Sequence, residues 1–323
     1  MRVLITGASG YLGRSLVAAF RAAGHETVSF SRHAASSGLP GERVDGDVRD
    51  PAAVARAMAG CDAVCHSAAL VGVWRRRAAD FDDVNVGGLR TVLETARAAR
   101  VSRLVYTSSF MALPPAGATV PGEWNDYQRT KVAADRVAGD AAAAGAPIVR
   151  VYPGVIYGPG ARTGGNLVGS MVADHLQGKL AGVVGADCVW SYAYVDEVAR
   201  GHVAAAERGR PGARYLLGGE NAPQMRVYEI VRELTGRPLP RRLPAWLARA
   251  VGAAGGIGAK LTGRQPPLTA GTVSILTRDW PMDSSLAVTE IGYRIEPLRD
   301  GVARVVEQLR GGPGAPAPWE RAA

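Results

Sequence analysis

Through its first 150 residues the chain alternates short apolar runs with stretches of helical periodicity, as βαβ units of a parallel sheet do. The apolar runs predict strands at Val3–Thr6, Thr27–Ser31, Arg43–Asp45, Ala63–His66, Arg103–Ser108 and Pro147–Tyr152. The stretches between them predict helices over Tyr11–Ala23, Pro51–Met58, Asp83–Arg100 and Asn125–Ala144. Asp50 is placed to cap the second helix, whose first turn suits Pro51. Gly145 ends the fourth after its alanine run.

Beyond Tyr152 the pattern loosens. Pro153–Ser191 is rich in glycine and proline and reads as loops around one helix near Gly165–Gln177. Asp196–Glu207 is helical, and Arg214–Leu217 is a short strand able to rejoin the sheet. Helices and turns follow from Gly218, and the proline-rich Gly311–Ala323 is expected to be a disordered tail. The expected fold class is α/β, a Rossmann-type doubly wound parallel sheet with a smaller, interleaved C-terminal substrate-binding lobe. Residues 1–155 form the sheet domain, rejoined by about 193–218, and 156–192 with 219–310 form the lobe. No internal repeat is visible.

Composition narrows the class. The 323 residues are 47% hydrophobic and 21% charged, which excludes a disordered chain, a collagen and a disulfide-stapled miniprotein. No stretch reaches the roughly 18 apolar residues of a membrane span, and no membrane partner is expected. The nearest, Ala245–Leu261, is broken by Arg249, Lys260 and glycines. Arg2–Thr6 already reads as a strand, so no signal peptide and a cytoplasmic location are expected. Cys61, Cys65 and Cys188 have neither disulfide-framework nor zinc spacing, and no metal is expected. The net charge of +9 comes from cations that read as scattered, all arginine except Lys131, Lys179 and Lys260. The densest run, Arg75–Arg77, lacks aromatic platforms beside it, so no nucleic-acid partner is expected.

The opening "VLITGASGYLGRS" places Gly7, Gly10 and Gly13 between the first strand and the first helix. Such a loop brings main-chain N–H groups to a pyrophosphate at the positive end of a helix. Gly7, Ser9, Gly10, Tyr11, Leu12 and Gly13 are therefore candidate dinucleotide contacts, although the spacing is G-x-x-G-x-x-G. The second strand ends Ser31-Arg32-His33, with no carboxylate for the ribose hydroxyls of NAD. The Arg32 guanidinium suits a 2′-phosphate, which favours NADP(H) over NAD(H). Asp47, followed by Val48, either meets the adenine amino group or caps a turn.

Tyr127 and Lys131 stand four apart in "DYQRTK" and share a helix face. A nearby ammonium favours the phenolate, so the pair suits proton exchange with an alcohol or carbonyl. It follows the strand ending "VYTSSF", and ligands of open α/β sheets bind at that carboxyl edge.

Together "TGASGYLG", "GDVRD", "HSAAL", "VNVGGLRTVLETA", "VYTSS", "YQRTK", "VRVYPGVIYGPG", "YVDEVARGH" and "DWPMDSSLAVTEIGY" resemble the extended branch of the short-chain dehydrogenase/reductase superfamily, over most of the chain. The resemblance implies a Rossmann core, an NAD(P) cofactor and a Ser-Tyr-Lys mechanism. It makes Tyr127 the acid/base and Lys131 the residue that binds the nicotinamide ribose and lowers the tyrosine pKa. Ser109 becomes the residue bonding the reacting oxygen, with Ser108 as the neighbour to test, and Asn85 a supporting member of the catalytic set. Ala68 is implied to lie against cofactor ribose, and Pro153, Val155 and Ile156 to flank the nicotinamide. The segment between Ser109 and Tyr127 is shorter than usual in this branch. A homodimer pairing Asp83–Arg100 and Asn125–Ala144 is the family's implication.

The branch holds both nucleotide-sugar enzymes, which keep NAD bound, and reductases of the dihydroflavonol-reductase type. Sugar-nucleotide members carry a Phe-Asn-type pair where this chain has Pro153-Gly154, and a phosphate-gripping arginine where it has Trp190. The reading is an NADPH-dependent reductase of a ketone or aldehyde, or the reverse alcohol dehydrogenase, on a mostly apolar small molecule. Ser109, Tyr157, Trp190 and Tyr192 are expected to line its pocket. The alternatives are a sugar or sugar-nucleotide epimerase/dehydratase with bound NAD and a non-enzymatic NADP(H)-sensing protein.

Overall fold

The computed structural model describes residues 1–311 apart from 265 and 267. The expected tail, past Gly311, lies outside the described residues. Seven strands form the main sheet, and every pairing in it is parallel. In chain order the first half runs β1 (Arg2–Thr6), α1 (Tyr11–Ala22), β2 (Glu26–Ser31), β3 (Glu42–Asp45), α2 (Pro51–Met58) and β4 (Ala63–His66). Then come α3 (Ala79–Asp82), α4 (Gly88–Ala98), β5 (Arg103–Thr107), α5 (Asp126–Ala143) and β6 (Ile148–Pro153). The central strands β1 and β4 are continuous apolar runs because helices cover both of their faces. On one face Leu16, Val17 and Phe20 of α1 close the core; on the other, Val54 and Met58 of α2 join Leu89 and Val92 of α4. Phe20 is fully buried, which contributes about 1.5–3 kcal/mol.

The helix expected from Asp83 begins earlier, at Ala79, and is not regular. Between α3 and α4 a π-helical turn, Asp83–Gly87, takes in one extra residue. It lets Gly88 press against Val48, where a Cβ would lie 2.7 Å from Val48 Cγ2.

Past β6 the chain continues β7 (Val155–Tyr157), α6 (Leu167–Leu176), β8 (Val183–Val184), β9 (Val189–Tyr194), α7 (Val195–Arg208), β10 (Arg214–Leu217) and β11 (Glu220–Pro223). It ends with α8 (Gln224–Thr235), β12 (Arg242–Leu243), α9 (Ala245–Thr262), α10 (Ala270–Leu276), α11 (Ser285–Ile291) and α12 (Leu298–Leu309). As expected, β10 rejoins the sheet, beside β6, giving the order β10-β6-β5-β4-β1-β2-β3.

The loop reading of Pro153–Ser191 and the helix-and-turn reading beyond Gly218 need correction. β7, β9 and β11 form a second, three-stranded sheet over the C-terminal region. β7 is too short to show periodicity, and β9 is buried along almost its whole length, so neither alternates as a half-exposed strand does. Among the described residues no helix is long and apolar enough to cross a membrane.

Candidate active site

Parallel strands end at a common edge, and β1, β4 and β5 deliver Thr6, His66 and Thr107 to it. The loop from β1 into α1 passes close over the next strand's exit. Gly7 has φ +73°, and a Cβ on it would lie 2.8 Å from the Ala68 Cα. A Cβ on Gly13 would lie 2.1 Å from the Gly7 carbonyl oxygen. Only glycine fits either place. No side chain caps α1, so its first-turn N–H groups are free to face an anion. Two buried hydroxyls beside this loop, Ser31 Oγ and Tyr11 Oη, have no hydrogen-bond partner. A loop whose glycines leave the backbone uncovered, beside orphaned buried hydroxyls, fits a dinucleotide, and Gly7, Ser9, Gly10, Tyr11, Leu12, Gly13, Ser31 and Ala68 are placed to hold one. The nucleotide would supply a hydride at its nicotinamide.

Arg32 is exposed at the end of β2 and lies close enough to Asp47 to help lower its pKa. The larger influence on Asp47 is Arg49, whose main-chain N–H, Nε and Nη2 donate to the carboxylate at 2.9, 2.9 and 2.7 Å. The structure therefore shows Asp47 holding its own turn. Val48 is buried under Gly88. Pro153, Val155 and Ile156 cross from the main sheet to the second one, at the same edge as Ser109.

Asn125 caps α5, its side chain accepting from the Gln128 N–H at 2.8 Å, and this fixes the turn that carries Tyr127. The two adjacent serines after β5 have different fates. Ser108 Oγ donates to Asp135 Oδ1 at 2.9 Å, whereas Ser109 Oγ accepts from the Met111 N–H at 3.2 Å and lies close enough to the Tyr127 hydroxyl to lower its pKa. Burial pushes the Tyr127 pKa up to about 12, and the nearby Ser109 hydroxyl pulls against that shift. Tyr127 is a neutral phenol at pH 7.

Lys131 is buried, and burial takes its pKa down to about 8, opposed by Asp135 one turn further along α5. Its Nζ donates to the Thr107 carbonyl oxygen at 3.1 Å. The expectation that Lys131 holds the tyrosine pKa low is not met in this chain alone, because the ammonium is turned to that carbonyl. Asn85 also changes role. Its Oδ1 accepts from the Leu70 N–H at 2.7 Å, and its Nδ2 donates to the Leu70 carbonyl at 3.2 Å and Thr130 Oγ1 at 3.0 Å. With its amide fully committed, Asn85 is a positioning residue that ties the loop after β4 to α5.

A buried polar layer lies beneath these residues. Thr6 Oγ1 and His66 Nδ1 share a hydrogen bond of 2.8 Å, and the His66 ring stacks on Tyr106. Burial, aided by the Lys131 charge, lowers the His66 pKa to about 3, so the ring is neutral. Sequence reasoning passed over Asp135, although it stands at i+4 from Lys131 and i+8 from Tyr127. It also passed over Trp124, three residues before Tyr127, over whose ring the Arg278 guanidinium lies at 3.9 Å.

The three aromatics expected to line the pocket are buried. Tyr157 is fully buried and donates to the Leu298 carbonyl at 3.4 Å; Tyr192 packs edge-on against it. Trp190 is buried too, its Nε1 donating to the Arg278 carbonyl at 3.1 Å. These three belong to the packed core beneath the second sheet, because β9 is covered on both faces. Of the expected pocket set, Ser109 stands just after β5 at the carboxyl edge of the main sheet. Among the described residues no His, Cys, Asp or Glu cluster could hold a metal ion.

A family model described as the NAD dependent epimerase/dehydratase family matches residues 3–218. The chain is 35% identical over 257 residues to sterol demethylase protein B of Methylococcus capsulatus, covering 75% of this chain and 76% of that one. It is 33% identical over 257 residues to a 2-alkyl-3-oxoalkanoate reductase of Stenotrophomonas maltophilia, covering 74% and 77%. The crystal structure of gox2253 superposes with a TM-score of 0.80 at 27% identity, covering 96% and 98%. A Thermus thermophilus UDP-glucose 4-epimerase in complex with NAD superposes at 0.75 and 24% identity, covering 96% and 99%, a likeness of fold.

Proposed function

The chain belongs to the NAD dependent epimerase/dehydratase family and is an NAD(P)-dependent oxidoreductase of the extended short-chain type; from that premise we propose that it reduces a ketone or aldehyde on a mostly apolar small molecule, or oxidises the corresponding alcohol. The observation that carries this reading is the Tyr127 phenol, protonated at neutral pH and set beside the Ser109 hydroxyl at the sheet's carboxyl edge. A neutral phenol there is a proton donor for an oxygen that gains charge as hydride reaches its carbon. Ser109 orients that oxygen, Lys131 lines the floor, and Asn85 and Asp135 hold the pieces in place.

Two features support an apolar substrate over a nucleotide sugar. The position where sugar-nucleotide relatives carry a phosphate-gripping arginine is Trp190, turned into the core. Arg278, a cation close by, is stacked on Trp124 with its guanidinium bonded to the Ser274 carbonyl. A diphosphate would face this wall without a dedicated charge partner, which is unfavourable when buried. NADPH is the preferred cofactor in this reading, with Arg32 meeting the 2′-phosphate where no carboxylate stands.

The test is NADPH and NADH oxidation by the purified protein against a panel of ketones, 2-alkyl-3-oxo acids included, beside calorimetric titration with UDP- and dTDP-sugars. Ketone turnover faster with NADPH than NADH, without nucleotide-sugar binding, is expected. Micromolar binding of a nucleotide sugar in the presence of NAD would replace this reading with the epimerase one.

A further inference from the structure

The net charge of +9 is not spread evenly. From Arg237 to Arg278 the chain carries six arginines, one lysine and no carboxylate, so this segment alone supplies +7 and the rest of the chain +2. Arg241, Arg249 and Arg264 are exposed and form no ion pair among the described residues. The segment contains α9 and α10, and α9 packs the opposite way round from an ordinary surface helix. Its inward stripe is made of small residues, with Ala248, Gly252 and Ala259 buried. A Cβ on Gly252 would lie 2.8 Å from the Ala270 nitrogen, so α9 sits tightly on the start of α10. Three large apolar side chains near its start point out instead. Trp246 is 69% exposed, Val251 49% and Leu247 40%. Arg249 rims this face one turn beyond Trp246, and Arg241 precedes the helix.

We infer that α9 is a membrane-surface anchor that lays Trp246, Leu247 and Val251 into the headgroup boundary of an anionic bilayer, with the surrounding cations against lipid phosphates. Exposed tryptophan and branched aliphatics on one face, cations at its rim and a segment without carboxylates of its own are what interfacial helices use. A second copy of the chain fits less well, because a two-fold contact through this face would oppose like charges. The helix does not span; it lies in the interface. Its hairpin adjoins the candidate active site, since a Cβ on Gly271 of α10 would lie 1.9 Å from the Trp124 carbonyl oxygen, three residues before Tyr127. An apolar substrate would then enter from the bilayer side, but the docking itself stands whatever compound is turned over.

The experiment is co-sedimentation of the full chain with vesicles of equal parts phosphatidylcholine and phosphatidylglycerol, against phosphatidylcholine alone. Binding to the anionic vesicles, much weaker binding to neutral ones, and a blue shift of tryptophan emission on binding are expected. Trp246→Ser/Leu247→Ser/Val251→Ser should lower the bound fraction by about tenfold or more. Arg241→Glu/Arg249→Glu should remove the preference for anionic lipid. All these side chains are exposed, so circular dichroism and cofactor binding of both variants should match the wild type. Failure of the wild type to sediment with anionic vesicles, or equal binding by the triple variant, would overturn the inference. So would a dimer in lipid-free sedimentation velocity that the triple variant abolishes, because the face would then belong to a second copy.

Discussion

The carboxyl edge of the main sheet and helix α9 break the usual division between inside and outside in opposite directions. At the edge, polar groups are buried: Lys131, His66, Asn85 and Ser108 each lie inside and each has a partner. On α9, large apolar groups are exposed, and among the described residues nothing covers them. Both arrangements are unfavourable for a folded chain alone. The first is offset internally, by hydrogen bonds that also fix the geometry of Tyr127. The second has no internal offset, and its compensation has to come from outside the molecule.

The sharpest way to separate a working polar edge from a merely tolerated one is Tyr127→Phe. It removes one hydroxyl and keeps the ring, so cofactor binding and stability should stay near wild type while turnover falls by about 10²–10⁴-fold. Steady-state oxidation of NADPH with the best ketone measures it, and near-normal turnover would take the catalytic role from the edge. Asn85→Ala tests the internal offset. Three hydrogen bonds disappear, the half-buried Leu70 N–H and carbonyl lose their partner, and Thr130 Oγ1 keeps only its bond to the Tyr127 carbonyl, so unfolding in urea should show a loss of about 2–4 kcal/mol. A loss under about half a kilocalorie would mean that the loop after β4 is held from elsewhere.

Lys131→Met gives the smallest change, with the opposite sign. The folded pKa of Lys131, about 8, lies below its ordinary 10.5, so between those values the unfolded chain holds more protons and stability rises with pH. Below pH 8 the full burden of the buried ammonium remains, roughly 3 kcal/mol at about 1.36 kcal/mol per unit. Methionine removes it but leaves the Thr107 carbonyl without its donor, for a net gain of about 1–2 kcal/mol at pH 7. The variant should also lose the rise in stability between pH 8 and 10.5, which denaturation at several pH values would reveal.

The main-sheet elements were legible almost to the residue, because a doubly covered strand must be apolar end to end and turns and caps mark where it stops. The π turn before Gly88 was not, since it depends on Val48 arriving from about forty residues away in the chain. Tyr127 and Lys131 were singled out by their spacing and Ser109 by the family resemblance, and the structure brings all three to the sheet's carboxyl edge. Trp190, Tyr157 and Tyr192 could not be placed, because an aromatic on a strand announces burial without saying which layer covers it. Asp135 and the one-signed run from Arg237 to Arg278 were visible in the letters all along. The first needed the helix face followed one turn further, and the second needed charge counted by segment rather than over the whole chain.

The late return of β10 to the main sheet has a consequence for how the protein is made. During synthesis β6, with its sequence Ile-Val-Arg-Val-Tyr-Pro, is complete about sixty residues before its outer neighbour exists. Until Arg214–Leu217 emerges and pairs with it, the nascent sheet ends in an apolar strand whose outward N–H and C=O groups are unpaired, open to another chain's edge. The ribosome-bound interval between Pro153 and Leu217 is the stretch in which a chaperone, or a pause in translation at the wrong place, would decide between folding and aggregation.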